Sequence, residues 1–202
     1  MLPLPGMSTI AEYEYVHGAV ICGLLSAPVK CGTHTIMVKK IVMIEVSKEK
    51  MPWGTYKIEP NHGNPKILFI AYRLKTGGPS TWQFVISGGR LLDICKQYQE
   101  GAKDKIEVWI ALVCKTDDII KKDGWICLLS PDDINHLGVF SSCSSDSPGS
   151  ITISTRLEPD KSFRVWSSRV SKGHKGSSSN PLIIPRNRLK TWLCPPEEKT
   201  SD

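Results

Sequence analysis

The spacing of apolar residues along the chain predicts two helices in its first half. Over 9–26, apolar residues recur at steps of three and four, and Pro28 ends the pattern. A second apolar stripe covers 90–100, and Gly101 follows it as a stop signal. Helices of this kind bury one side against a sheet, so a mixed domain is expected.

Runs rich in β-branched and aromatic residues predict the strands. The run over 105–114 is the most apolar, which is typical of a strand in the interior of a sheet, and 124–130 is expected to return as its partner. The turn residues of KTGGPS predict that two of the runs pair as a hairpin, 67–74 with 81–87. The remaining predicted strands of this region are 34–46, with a bend at Lys39 and Lys40, and 55–59.

A third, short helix is predicted to begin at Ser130. Serine is a good N-cap, Pro131 suits the first helical position, and two aspartates follow in the first turn. Beyond it, 151–156 and 162–170 predict a second hairpin, and PLIIPRNRLKTWL predicts an extended piece and one helical turn. The predicted fold is therefore α/β or α+β. It has a mixed central sheet flanked by helices, the order α-β-β-β-α-β-β-α, and a β-rich basic C-terminal extension.

These patterns suggest a division of the chain into five parts. They are a flexible leader (1–8), a core domain (9–140), a serine-rich connector (141–150), a basic extension packed on the core (151–194) and a flexible tail (195–202). No run approaches the roughly 18 apolar residues that a membrane span requires, and the N-terminus lacks the pattern of a secretory signal. We therefore expect a cytoplasmic protein without a membrane partner.

The positive charge is concentrated near the C-terminus. The segment 156–190 holds nine Lys or Arg against Glu158 and Asp160, a net charge of +7 in a chain of +6. Local basicity of this kind favours contact with DNA or RNA. Trp166 and Phe163 would stack on bases, and phosphates would be contacted by Arg164, Arg169, Lys172, Lys175, Arg186 and Arg188. The alternative is that these residues form only the solvated side of a half-exposed strand.

Seven cysteines, at 22, 31, 95, 114, 127, 143 and 194, show no C-x-x-C spacing. Zinc sites usually need such short paired spacings, so no metal site is predicted from them. Several of the cysteines fall in apolar runs. We therefore interpret the set as reduced and mostly buried thiols in a cytosolic protein.

The order α-β-β-β-α-β over about 9–114 resembles the core of the restriction-endonuclease-like superfamily. That family carries an Asp on the second core strand and Glu-x-Lys or Gln-x-Lys on the third, which together hold Mg²⁺ and activate a water. Here Gln83 would match the Glu or Gln, but Val85 stands where lysine belongs and no aspartate precedes Asp93. Four parts of the chain also resemble small uncharacterised prokaryotic proteins in their residue patterns: EYEYVHGAV, ILFIAYR…TWQFVIS, IALVC…WICLL and SFRV…IPR. This resemblance implies no activity.

Three functional hypotheses follow. The first is a non-catalytic or degenerate nuclease-like domain that contacts nucleic acid through the basic segment. The second is a protein–protein interaction or accessory module that acts through a sheet face or edge, without nucleic acid. The third is a metal-dependent nuclease with rearranged ligands drawn from Glu14, Glu45, Glu59 and Gln83. No cofactor is expected except Mg²⁺ in the third case, and the oligomeric state stays open.

Overall fold

A computed structural model describes most of the chain. The described residues are 12–25, 29–31, 34–46, 53–74, 80–115, 124–144, 148–159, 162–190 and 192–194. The predicted leader (1–8) and tail (195–202) lie outside them.

The described part contains three α-helices and eleven strands. The helices are α1 (Glu12–Leu25), α2 (Gly88–Lys103) and α3 (Pro131–His136), and two 3₁₀ turns cover Phe140–Ser144 and Arg186–Lys190. The first strands are β1 (Val29–Cys31), β2 (His34–Ile36), β3 (Val38–Val46), β4 (Trp53–Pro60), β5 (Lys66–Leu74) and β6 (Thr81–Ile86). The later strands are β7 (Glu107–Lys115), β8 (Gly124–Leu129), β9 (Ile151–Leu157), β10 (Ser162–Ser167) and β11 (Leu182–Pro185).

The strands form three sheets in a mixed α+β arrangement. The central sheet has the order β3-β4-β5-β7-β8, in which β5 and β7 are parallel and the other neighbours are antiparallel. A second sheet, of order β11-β10-β9-β6, is antiparallel throughout, and β1 pairs with β2 alone. The C-terminal strands β9, β10 and β11 thus join β6 in one sheet.

The central sheet is covered differently on its two faces. On one face, Val16 and Val20 of α1 pack against β4 and β5, together with Trp192. The other face packs against α2, α3 and the inner side of the second sheet in a single cluster that includes Phe69, Leu91 and Phe163. The prediction of a central sheet flanked by helices is confirmed only in part, because the second sheet also covers one of its faces. The predicted order is corrected as well, since six strands and not three precede α2.

The predicted hairpin of 67–74 with 81–87 is wrong. β5 pairs with β4 and β7, whereas β6 pairs with β9 in the other sheet. The burial of the two strands explains the difference. β5 is buried on both faces over Lys66–Ala71 and needs a neighbour on each edge, whereas β6 alternates buried Trp82 and Phe84 with exposed Gln83.

Several local predictions are confirmed. β7 is an interior strand, β8 is its antiparallel partner, and β9 pairs with β10 as the second hairpin. The N-terminus of α3 carries a full capping box, in which the Ser130 hydroxyl accepts from the Asp133 N–H and the Asp133 carboxylate accepts from the Ser130 N–H at 2.9 Å. The bend predicted at Lys39 and Lys40 coincides with a register shift between Val38 and Lys40.

The interpretation of the cysteines is only partly correct. Cys31 pairs with Cys194 and Cys95 pairs with Cys143 as disulfides, with Cα–Cα distances of 5.6 and 5.1 Å. Cys114 and Cys127 are buried free thiols, as expected, and Cys22 is exposed. The pairs are separated by 163 and 48 residues, which a search of short spacings cannot detect. Because disulfides persist mainly in oxidising compartments, the cysteines no longer support a cytoplasmic location.

Candidate nucleic-acid interface

One side of the second sheet carries polar and charged groups that face away from the core. Along β10, Phe163 and Val165 are buried in the core while Arg164 and Trp166 alternate with them and point the other way. In the register, Arg164 lies opposite Arg156, and Trp166 lies opposite Ser154, which in turn lies opposite Gln83. We call this side the outer face. It carries Gln83, Ser154, Arg156, Arg164 and Trp166, and the exposed apolar residues Val85 and Ile183 lie on it as well.

Two arginines of the outer face share one carboxylate. The Nε atoms of Arg156 and Arg164 lie 3.5 and 3.1 Å from the same Oε1 atom of Glu158. Like charges directly opposite each other on neighbouring strands repel, and Glu158 relieves that repulsion. The two guanidinium side chains are 59% and 53% exposed, so water or a bound anion reaches both of them.

Two predicted lysines lie in the loop between β10 and β11. Lys172 and Lys175 are both exposed. The loop that carries them is closed by its own hydrogen bonds, since the Gly173 N–H donates to the Ser179 hydroxyl at 2.8 Å and the Asn180 amide donates to the Gly173 carbonyl at 3.4 Å. The glycine- and serine-rich segment is therefore a folded loop that presents its lysines to solvent.

The other three predicted arginines make contacts within the protein. Arg169 donates through Nη2 to the Gly149 carbonyl at 3.0 Å. The guanidinium carbon of Arg186 lies 3.2 Å from the centre of the Trp125 ring. Arg188 donates to the Leu128 carbonyl at 3.2 Å and forms an ion pair with Asp133. These three arginines are therefore held by other groups of the protein, whereas Arg164 and Trp166 lie on the outer face.

Sequence reasoning misjudged one ring and missed one arginine pair. Phe163, proposed as a stacking group, is fully buried in the core. The pairing of Arg156 with Arg164 depends on the β9–β10 register, and Glu158 joins it from the turn between those strands. The two-residue alternation of SFRVWS was the signal in the sequence that separates inward Phe163 from outward Arg164 and Trp166.

The residues considered for metal-dependent catalysis lie in different places. Glu59 is on β4 of the central sheet, where its Oε1 atom lies 3.4 Å from Nζ of Lys57. Gln83 is on the outer face of the second sheet. The side chains of Glu14 and Glu45 are outside the described part. The third strand of the central sheet is β5, not β6 as the mapping of Gln83 assumed. Among the described residues, no group of three or more His, Cys, Asp or Glu side chains is placed to hold a metal ion.

A separate cleft of about 460 Å³ lies beside the start of α3. Glu107 lines it and accepts hydrogen bonds from the Lys66 ammonium at 2.6 Å and the Trp109 indole at 2.9 Å. Lys66 and Glu107 are register partners on β5 and β7, so the sheet places the ion pair. Trp192 also lines the cleft and packs edge-on against Trp109. The sequence offered no signal for this cluster, because its members come from distant segments.

Burial sets the protonation state of three groups of the kinds that serve as acids, bases or nucleophiles. It lowers the pKa of His17 to about 4, so the ring is neutral at neutral pH. Burial also raises the pKa of Cys114 to about 12 and raises that of Cys127. Neither thiol supplies a thiolate nucleophile near neutral pH.

Comparison with known proteins found no counterpart for this arrangement. No family model, no curated protein and no solved structure matches the chain. In the part of the chain that the structure describes, no helix is both long and apolar enough to span a bilayer. Any functional proposal therefore depends on the residues of this chain alone.

Proposed function

We propose that this protein is a non-catalytic domain that binds single-stranded nucleic acid on its outer face. The observation that carries the proposal is the alternation on β10, which puts Arg164 and Trp166 on one open side of a sheet. Single-stranded nucleic acids are bound by sheets that offer an aromatic ring for a base and nearby cations for the phosphates. Arg156 lies beside Arg164 and supplies a second phosphate contact.

The apolar lining of β5 supports binding rather than cleavage. The nuclease-like core that the order of elements led us to expect would have β5 as its third core strand. However, the face of β5 that packs toward α2 carries Ile67, Phe69 and Ala71, which are buried and cannot ligate Mg²⁺. A degenerate core of this kind would retain its scaffold and use an added basic surface for binding.

Fluorescence anisotropy with a labelled single-stranded oligonucleotide, as DNA and as RNA, tests the proposal at low salt. We expect Arg164→Ala and Trp166→Ala each to weaken binding about tenfold, since one stacked base or one charge-assisted contact contributes on the order of 1 to 3 kcal/mol. Lys103→Ala removes an exposed lysine from α2 and serves as the matched control, with no expected change. Binding no tighter than that of a neutral control protein would end the proposal.

A duplex of the same sequence provides the second comparison. The outer face offers one indole for an unstacked base, and a duplex keeps its bases stacked, so we expect weaker binding to the duplex. Loss of affinity in Arg164→Ala but not in Trp166→Ala, on both strand forms, would reduce the proposal to nonspecific phosphate contact.

A protein–protein interaction module is the second candidate, and one observation favours it. The edge strand β3 exposes Val42, Met43 and Ile44, away from the basic segment in the sequence. Contiguous exposed apolar residues commonly mark binding surfaces.

A further inference from the structure

A pocket of about 290 Å³ lies between the central sheet and α2. Three strands and one helix line it, and none of the lining residues belongs to the outer face: Ile44 of β3, Thr55 of β4, Phe69 of β5, and Asp93, Lys96 and Gln97 of α2. Ligand sites in proteins enclose roughly 300 to 1,000 Å³, so this volume lies at the lower limit of that range. The pocket therefore suits a small molecule.

The floor of the pocket contains a buried hydroxyl group. Thr55 and Phe69 are register partners on β4 and β5, and only 3% and 0% of their surfaces are exposed. The Oγ1 atom of Thr55 has no hydrogen-bond partner among the described residues. A buried polar group without a partner destabilises a fold, so such groups are rare in native proteins. A ligand that carries a hydroxyl group at its inner end would supply the partner.

A bulge in β3 brings an apolar side chain to the same pocket. The register of β3 with β4 shifts between Met43 and Glu45, so Ile44 is the extra residue between two paired positions. Bulges redirect side chains and are frequent beside active sites. Ile44 is 47% exposed and lines the pocket together with the ring of Phe69. Because one of these two contacts is aromatic, the pocket favours a ligand with an aromatic ring.

Opposite charges from α2 lie at the rim of the pocket. Asp93 and Lys96 are both exposed and three residues apart, so their side chains are neighbours on the side of α2 that lines the pocket. The buried Arg90 holds the Asp93 carboxylate, with Nη1 of the arginine 3.4 Å from Oδ2 of the aspartate. A carboxylate beside an ammonium group complements a ligand that carries both charges itself.

We propose that this pocket binds a small zwitterion of the α-amino acid class whose aromatic side chain ends in a hydroxyl group. The ammonium and carboxylate groups of the ligand pair with Asp93 and Lys96, its ring contacts Ile44 and Phe69, and its hydroxyl group forms a hydrogen bond with Thr55. The proposal does not depend on nucleic-acid binding, because the pocket lies on the central sheet and the outer face lies on the second sheet.

Titration of the isotope-labelled full chain with L-tyrosine and with L-phenylalanine, followed by the NMR shifts of backbone amides, tests the floor of the pocket. We expect L-tyrosine to bind with a Kd of about 1 mM or below and to shift the amides of Thr55 and Lys96 but not that of Arg164. L-Phenylalanine lacks only the hydroxyl group and should bind roughly five- to tenfold more weakly. No binding of L-tyrosine, or equal binding of the two amino acids, would overturn the proposal.

Two further ligands test the rim on the unaltered protein. Tyramine lacks the carboxylate of L-tyrosine, and desaminotyrosine lacks its ammonium group. Each should bind about tenfold more weakly than L-tyrosine, because each loses one charge-assisted contact. If either of them binds as tightly as L-tyrosine, the site does not recognise a zwitterion and the proposal is wrong.

The variant Thr55→Val keeps the shape of the side chain and removes its hydroxyl group. We expect it to bind L-tyrosine and L-phenylalanine equally. Thr155→Val is the matched control, since Thr155 is a buried threonine of the second sheet whose Oγ1 atom lies 3.4 Å from Sγ of Cys114, and it should keep the preference for L-tyrosine. A preference that persists in folded Thr55→Val would contradict the contact with Thr55.

The exposed residue Lys96 keeps the test decisive if Thr55→Val fails to fold, which circular dichroism would reveal. Lys96→Ala should weaken L-tyrosine binding about tenfold, and Lys103→Ala on the same helix should leave it unchanged. Equal affinities in these two variants would overturn the role of Lys96. Oligonucleotide binding should be the same in all of these variants, so failure here leaves the proposed function untouched.

Discussion

The Nδ1 atom of His17 lies 3.0 Å from the hydroxyl oxygen of Tyr56, and this hydrogen bond joins α1 to the central sheet. The ring of His17 occupies space that Gly54 leaves open on β4. A Cβ atom at Gly54 would lie 2.5 Å from Cε1 of that ring. The glycine and the histidine are thus complementary, one on the strand and one on the helix.

Burial of His17 predicts that the protein loses stability in mild acid. Its pKa is about 4 in the folded protein and 6.5 in a free side chain, so the unfolded chain binds more protons between these values. The contribution of His17 to the free energy of unfolding is therefore fully present above pH 6.5. It falls as the pH drops from 6.5 toward 4, by roughly 3 kcal/mol at most. Urea denaturation at pH 7.5, 5.5 and 4.5 measures this loss in the free energy of unfolding.

The variant His17→Gln provides the control for that prediction, since glutamine fills similar space and does not titrate. It should be less stable than the wild type at pH 7.5, yet lose less stability on acidification. Identical losses in both proteins would show that other groups, and not His17, cause the acid sensitivity.

Two glycines are expected to respond oppositely to alanine. A Cβ at Gly18 meets no atom within 4 Å, and Gly18 lies inside α1, so Gly18→Ala should stabilise the fold by about 0.5 to 1 kcal/mol. Gly54→Ala must displace the His17 ring and should cost roughly 1 to 3 kcal/mol. Thermal melts of the two variants beside the wild type measure both effects. Equal shifts of the same sign in the melting temperatures of the two variants would contradict the packing of His17 on Gly54.

The disulfide between Cys31 and Cys194 should contribute strongly to stability. It closes a separation of 163 residues, and restraint of so long a loop in the unfolded chain is worth roughly 5 kcal/mol in the entropy model, with measured losses of about 2 to 5. Cys31→Ser should lower the free energy of unfolding accordingly, while Cys22→Ser, at an exposed cysteine that belongs to neither disulfide, should not. An intact mass that shows fewer than two disulfides in the air-oxidised chain would refute the prediction.

The parts of the fold that the sequence predicts well depend on local chemistry. The capping box at Ser130 involves residues three apart, and the interior position of β7 follows from its unbroken apolar run. The hairpin of β5 with β6 was wrong because turn residues indicate only that the chain reverses. Which strand lies beside β5 depends on burial of both its faces, and that is a property of the whole sheet.

The candidate site likewise has a part that the sequence could predict and a part that it could not. Alternation along β10 separates Arg164 and Trp166 from the buried residues between them, and this could be predicted from a period of two. Net charge alone could not separate Arg164 from Arg186 and Arg188. Those two are held by Trp125 and Asp133, which lie more than 50 positions away in the chain and meet them only after folding.

The last prediction concerns Glu158, which neutralises part of the charge on the outer face. Because one carboxylate forms ion pairs with both Arg156 and Arg164, a phosphate must compete with it for the guanidinium groups. Glu158→Gln should therefore tighten binding of a single-stranded oligonucleotide severalfold at low salt and steepen the dependence of log K on log salt by up to about 0.7. Asp132→Asn removes an exposed acid from α3 instead and should change neither quantity. Weaker binding in Glu158→Gln, with the fold intact, would mean that the carboxylate positions the arginines for the ligand and does not compete with it.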